Sequence, residues 1–144
     1  MFLPGYKKIE FADASSIQVV ADEKISSGVP VSVFGAFTTL PVVDAFALET
    51  KPDTINGQTI MTTVVTLNVA DGGRETRLTL HHLTVADFVF RLTDVEGKQW
   101  LLGSGSRPFP TVHTSFISES SRGGRRCFVV EIRYINLFSL LEIS

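Results

Sequence analysis

The sequence predicts an all-β fold, an antiparallel β-sandwich or barrel with an extended N-terminal arm and little helix. Three observations lead to this prediction. Apolar residues alternate with polar ones over many short segments, which is the period of two of a strand with one buried face. Turn-forming steps rich in Gly, Pro, Asn and Asp separate these segments. No segment shows helical periodicity over the ~12 residues that a helix prediction requires.

Length and composition indicate one small domain with an apolar surplus. The chain has 144 residues, a net charge of −2, 19% charged residues and one cysteine. We expect an arm at residues 1–16 and a single β domain at residues 17–144. The charge excludes a general attraction to nucleic acid or to an anionic membrane, and no apolar run reaches the ~18 residues of a membrane helix. A lone cysteine excludes a disulfide framework and favours folding in a reducing cytoplasm.

The elements follow in order along the chain. Residues 1–16 are predicted to form an arm with at most a short strand. Strands are predicted near residues 17–21, 29–37, 43–50, 59–69, 75–82, 88–93, 98–102, 111–117 and 127–134. In the longest one, Met61, Thr63, Val65, Leu67 and Val69 share one side, whereas Ile60, Thr62, Val64, Thr66 and Asn68 share the other.

Turn chemistry connects these strands. Residues 51–58 contain Pro52 and an Asn-Gly step, which predicts a turn region. The sequence Asp71-Gly72-Gly73 predicts a hairpin whose returning strand is residues 75–82. Residues 84–87 fit a capping box that would begin one helical turn. The predicted core residues are Phe90, Leu92, Trp100, Val130 and Ile132.

No constellation of residues predicts catalysis, a cofactor or a metal. His81 and His82 would point to opposite faces of a strand, so together with His113 they do not make a metal site. The segment 103–106, Gly-Ser-Gly-Ser, lacks the spacing of a nucleophile elbow and of a phosphate loop. Cys127 has arginines beside it but no recognisable base. Most acidic residues occupy turns, which explains them without a paired-carboxylate site.

Three arginines surround a Gly-Gly step between the last two long strands. Arg122, Arg125 and Arg126 are typical of a loop that contacts phosphates or the carboxylates of a neighbouring subunit. A solvated hairpin tip is the competing interpretation, and the sequence leaves both open.

The segment Thr93–Pro110, TDVEGKQWLLGSGSRPFP, resembles a pattern of small structural proteins from tailed-phage and prophage virions. The matching features are D-x-x-G, an aromatic residue followed by Leu-Leu-Gly, and a Pro-aromatic-Pro exit; a late strand and a C-terminal Leu-Leu stretch complete the likeness. The resemblance covers the last third of the chain. It implies a β-rich tail or head–tail connector component that works in a ring, located in the virion, assembled in the host cytoplasm and lacking catalytic residues.

Self-assembly is the function that these observations favour. The 59–69 strand carries no charge, and lysine or proline usually protects an open sheet edge. We therefore predict contacts with further copies or with neighbouring virion proteins, at Phe2, Tyr6, Val64, Thr66 and the arginine loop. A carbohydrate-binding or adhesion module is the alternative; it would expose aromatic residues near loops, for which Tyr6, Trp100 and Phe109 are candidates. An enzyme ranks third.

Overall fold

The computed structural model describes residues 5–20, 32–42, 46–70, 73–103, 109–118, 126–136 and 140–143. These ranges form strands and one helix, and the all-β prediction is confirmed. The elements are β1 (Tyr6–Asp13), β2 (Gln18–Val20), β3 (Ser32–Phe34), β4 (Thr38–Leu40), β5 (Ala47–Ile55), β6 (Gln58–Ala70), α1 (Arg74–Val85), β7 (Phe88–Asp94), β8 (Gln99–Leu102), β9 (Thr111–Ser118), β10 (Arg126–Asn136) and β11 (Leu140–Glu142).

The described strands form two main sheets, in which all neighbours are antiparallel. The first has the order β11-β8-β7-β1-β4 and the second the order β5-β6-β10-β9, while β2 pairs with β3 alone. The chain passes from the first sheet to the second between β4 and β5. There Val42 bridges to Val69 of β6, and Phe46 bridges to Tyr6 of β1. Two packed antiparallel sheets are the architecture of a β-sandwich.

The main core lies between the two sheets and is closed by α1. Its buried residues are Ile9, Leu40, Phe46, Val65, Leu67, Val69, Leu80, Leu83, Phe88, Phe90, Leu92, Leu102, Val112, Val130, Ile132 and Tyr134. Of the predicted core residues, only Trp100 is misplaced. Its ring is half-buried, because it lies next to the β7–β8 turn and its Nε1 donates to Asp94 Oδ2 at 3.2 Å.

Strand β1 replaces most of the predicted arm. Tyr6–Asp13 is an eight-residue strand that pairs with β7 on one side and β4 on the other. The prediction of an arm with at most a short strand is wrong here. The pattern misled because the pairing shifts register between Tyr6 and Lys8, and because the charged Glu10 is buried. A bulge and a buried charge both break the simple alternation of a half-buried strand.

Helix α1 replaces the strand predicted at residues 75–82. Leu78 and Leu80 alternate in sequence, but Leu78 is 57% exposed whereas Leu80 is buried. The buried leucines are Leu80 and Leu83, three positions apart, which is helical spacing. The predicted helix start at residues 84–87 is also wrong, because the helix ends there and Ala86 N donates to His82 O.

Two of the predicted strands, 43–50 and 29–37, differ from the structure in their extent. Strand β5 runs to Ile55, so the turn at its end contains only Asn56 and Gly57, both at positive φ as in a two-residue hairpin. The strand predicted at 29–37 is split, because Gly35 adopts φ +143° between β3 and β4. Residues 29–31, and 43–45 of another predicted strand, lie outside the described residues. The strands predicted near 17–21, 59–69, 88–93, 98–102, 111–117 and 127–134 correspond to β2, β6, β7, β8, β9 and β10.

Candidate assembly surface

Val64 and Thr66 lie on the outer face of the four-stranded sheet. The intervening residues Thr63, Val65 and Leu67 point into the core and are at most 2% exposed. Val64 is half-buried and Thr66 is exposed. The two faces assigned to this strand from its alternation are therefore confirmed.

Strand pairing extends this face across the sheet. Val64 lies between Glu49 of β5 and Arg133 of β10, and side chains opposite each other on neighbouring strands share a face. Thr62 likewise lies between Lys51 and Ile135, and Thr66 lies opposite Glu131. We call these residues the outer sheet face: Glu49, Lys51, Thr62, Val64, Thr66, Glu131, Arg133 and Ile135.

The charges of the outer sheet face pair along their own strands. Lys51 Nζ lies 3.3 Å from Glu49 Oε1, and Arg133 Nη2 lies 3.1 Å from Glu131 Oε1. All four side chains are well exposed, so each pair contributes only about 0–1 kcal/mol to folding. These charges are therefore available to a binding partner at little cost to the fold.

A shallow cavity of about 480 Å³ lies at the centre of this face. Its lining residues are Glu49, Lys51, Pro52, Asp53, Thr62, Val64 and Arg133. Ile135, on the same face and opposite Thr62, is 48% exposed. An apolar centre with a charged rim is the usual anatomy of a protein–protein interface.

The prediction that the 59–69 strand forms an unprotected sheet edge is wrong, although its outer face is accessible. Strand β6 is not at an edge, because it pairs with β5 and β10 along its length. Within the described part of the sheet, β5 is the edge on this side. It carries Glu49, Lys51 and Pro52, which are the residue types that blunt an edge. Any contact through Val64 and Thr66 is therefore face packing and not strand addition to β6.

Tyr6 lies away from the outer sheet face. It packs against the main core, and its ring stacks on Phe46 with 5.8 Å between the ring centroids. Its backbone exchanges two hydrogen bonds with Phe46. Burial raises the pKa of the Tyr6 hydroxyl, and the nearby Asp94 carboxylate raises it further. The structure thus gives Tyr6 an inward packing role.

Of the other predicted contact residues, the structure describes only the backbone of Arg126. Phe2, Arg122 and Arg125 lie outside the described residues. Arg126 opens β10, where its backbone pairs with that of Ser118. The structure therefore brings together Val64 and Thr66, and it separates them from Tyr6.

A buried ion pair on the other sheet was missed from the sequence. Glu10 of β1 is 5% exposed, and Arg91 of β7 donates to both of its carboxylate oxygens, at 3.0 and 2.7 Å. The ring of Phe37 lies 4.3 Å from the guanidinium carbon. A strand at residues 6–13 would place Glu10 on the same side as Ala12, opposite Ile9 and Phe11, which pack in the main core. The partner is separated by 81 positions, which no local pattern reveals.

The residues considered for chemistry do not form a site. Among the described residues, no three histidine, cysteine or acidic side chains are placed to share a metal ion. His81 and His82 lie on α1 and not on a strand, so their side chains diverge by about 100° instead of pointing oppositely. The His82 ring packs edge-on against Phe88. Residues 104–106 and the Cys127 side chain lie outside the description.

Comparisons with known proteins return no relative. No family model matches the chain, and neither a curated protein nor a solved structure is significantly similar to it. In the described ranges, no helix has the length and apolar character needed to cross a bilayer.

Proposed function

We propose that this protein is a non-enzymatic structural subunit that self-associates through the outer sheet face. One observation carries the proposal: a broad sheet face has an apolar centre at Val64, an exposed Ile135 and a rim of four charges. The core of a monomer does not need this arrangement, because the opposite face of the same sheet already fills the sandwich. A second chain laid on the outer sheet face would cover the apolar centre and meet the rim charges.

The proposed setting is the virion of a tailed phage, as a tail or head–tail connector component that forms a ring. This part of the proposal is supported by the resemblance of residues 93–110 to such proteins. In the fold, the D-x-x-G step of that segment is the β7–β8 turn, in which Gly97 N donates to Asp94 O at 3.1 Å. The following Trp-Leu-Leu residues are strand β8. A ring requires that the outer sheet face meets a different surface of the next copy, because a self-complementary contact closes as a dimer.

The test places one charge on this face. Thr66→Glu adds a carboxylate beside Glu131, its neighbour on β10, so it disfavours burial of the face through desolvation and like-charge repulsion. Thr59→Glu is the matched control. Thr59 is an exposed threonine of the same strand, and the alternation of the strand places it on the face opposite to that of Thr66. Molar mass is measured by size-exclusion chromatography with light scattering.

We expect the wild type and Thr59→Glu to form the same oligomer, and Thr66→Glu to be reduced to monomer. Circular dichroism and thermal unfolding verify that both variants stay folded. A wild type that is monomeric at every soluble concentration would refute self-association. An oligomer that survives Thr66→Glu unchanged would move the contact away from this face.

A further inference from the structure

A groove runs between the end of α1 and the beginning of β9. Its volume is about 720 Å³, and it is lined by the consecutive residues 83–87 on the helix side and 109–113 on the strand side. Successive strand residues point to opposite faces, so a cavity that touches Thr111, Val112 and His113 in a row lies alongside the strand. We call this cavity the α1–β9 groove. It is separate from the cavity at the centre of the outer sheet face.

Strand β9, which borders the groove, is an edge strand within the described part of the sheet. Among the described strands, β9 pairs only with β10, and it ends the sheet order. An open edge presents backbone N–H and C=O groups that an extended peptide can pair with. Residues 111–115 contain no lysine, proline or acidic residue that would blunt this edge. The β5 edge carries charged residues and a proline that disfavour strand addition, whereas residues 111–115 of the β9 edge carry none of these residue types.

The walls of the groove supply an apolar pocket. Val85, in the last turn of α1, is 67% exposed, and Phe109 on the opposite wall is half-buried. Leu83 and Val112 are buried beneath them. A strand added beside β9 directs every second side chain to the same side, so an apolar side chain can lie against Val85 and Phe109.

One end of the groove is acidic. Asp87 lines the groove and also a smaller adjoining cavity of about 320 Å³, which Asp13 lines as well. Ala14 N donates to Asp87 O at 3.0 Å, which holds the two segments together. Side-chain and then backbone hydrogen bonds from Ser15 lower the pKa of Asp13, so this carboxylate stays ionised. In the described part of the chain, no lysine or arginine forms an ion pair with Asp13 or Asp87.

We propose that the α1–β9 groove binds an extended peptide segment of a partner protein, which adds to the sheet beside β9. The segment carries an apolar residue that packs on Val85 and Phe109. It also carries a lysine or arginine that lies at the acidic end, near Asp87 and Asp13. A basic segment is favoured over an acidic one, because the Asp13 and Asp87 carboxylates attract a cation and repel an anion. This site does not depend on self-association through the outer sheet face.

The first experiment selects ligands from a library of random heptapeptides displayed on phage, with the intact protein immobilised. We expect the selected peptides to share a lysine or arginine at a fixed distance from an apolar residue. Their binding, measured by fluorescence anisotropy of labelled synthetic peptides, should fall at least ~10-fold for the double variant Asp13→Asn with Asp87→Asn. Asp53→Asn, a change of another exposed aspartate on β5, should leave binding unchanged, and so should Thr66→Glu. Failure to enrich any such peptide would overturn the proposal.

The second experiment tests the backbone pairing without changing the protein. The best peptide is N-methylated at one position at a time, which removes one N–H donor per variant. Strand addition predicts an alternating result, because only every second N–H of an added strand points to β9. Equal effects at all positions, or none, would overturn strand addition even if the aspartate double variant failed to fold. Peptide binding that weakens as protein concentration rises would show that a second copy occupies the groove, and would overturn the assignment to a separate partner.

Discussion

At the residue scale, the pair Glu10–Arg91 is the most consequential polar contact between strands β1 and β7. Arg91 Nε and Nη2 each donate to one carboxylate oxygen of Glu10, a residue that is 5% exposed. Lys8 Nζ lies 3.9 Å from the same carboxylate. Burying an ionised group without a partner is costly, so removal of one member destabilises far more than an exposed pair would.

Arg91→Met should therefore lower the free energy of unfolding by about 2–4 kcal/mol, the lower values reflecting the quarter exposure of Arg91. The matched control is Arg133→Met, which removes the same group from the exposed pair with Glu131 and should cost less than about 1 kcal/mol. Urea unfolding followed by the fluorescence of Trp100, the single tryptophan, measures both. Equal losses for the two variants would contradict the importance of burial here.

Asp94 organises the β7–β8 turn and makes stability depend on pH. Its Oδ1 accepts from the backbone N–H of Glu96 and Lys98, and its Oδ2 accepts from the Trp100 ring. Burial raises the pKa of this carboxyl, but the hydrogen bonds from Trp100 and from the backbone of the turn together outweigh burial and lower it. A lowered folded pKa stabilises the fold above the ordinary value of 3.8, and the contribution is lost as pH falls through the folded value.

Asp94→Asn should cost about 1 kcal/mol at neutral pH and less at an acidic pH well below 3.8, where the wild-type carboxyl takes up its proton. The measurement is urea unfolding of both proteins at the two pH values. A difference that stays the same at both pH values would show that charge on Asp94 is irrelevant.

At the scale of elements, α1 shows where the sequence is informative and where it is not. The alternation of Leu78 and Leu80 predicts a strand, and the threonines around them favour strands as well. The buried face of α1 contains only two leucines, which are too few to show a helical period in the sequence. Packing on the core decides for the helix, a case of tertiary context overriding local preference. By contrast, the long alternation of β6 leaves one interpretation, and it is correct.

Because α1 is a helix, Leu78 and Leu80 differ in burial, and their truncation should differ in its cost to stability. Leu80→Ala should cost about 2–5 kcal/mol because Leu80 is buried in the core, whereas Leu78→Ala should cost less than about 0.5 kcal/mol. On a strand the two side chains would share a face and the two costs would be similar. Chemical denaturation of both single variants provides the comparison.

At the scale of the whole molecule, the candidate assembly surface was only half predictable. The face of Val64 and Thr66 follows from a period of two, which is a local property. The position of β6 inside its sheet does not, because strand order depends on pairings between distant segments. For the same reason, the sequence predicted an arm with at most a short strand where Tyr6–Asp13 forms an inner strand.

Removal of residues 1–11 should therefore unfold the protein instead of only preventing assembly. The deletion takes Tyr6–Phe11 from β1 and leaves β7 and β4 without their shared neighbour. We expect circular dichroism of the truncated chain to lose its strand signal, together with the cooperative thermal transition. A truncated protein that keeps both would restore the arm interpretation.

The inner position of β1 also has a consequence for how the chain reaches its fold. Glu10 and Arg91 are 81 positions apart, so β1 has no partner on that side until β7 has been synthesised. Closing so long a loop costs conformational entropy before any contact compensates for it, and folding rates fall as such distant pairings dominate. During translation, β4 is the first sheet neighbour of β1 to be synthesised, and the other side of β1 stays unpaired until β7 follows. Folding is therefore expected to be slow, and this interval is when the chain is most exposed to aggregation.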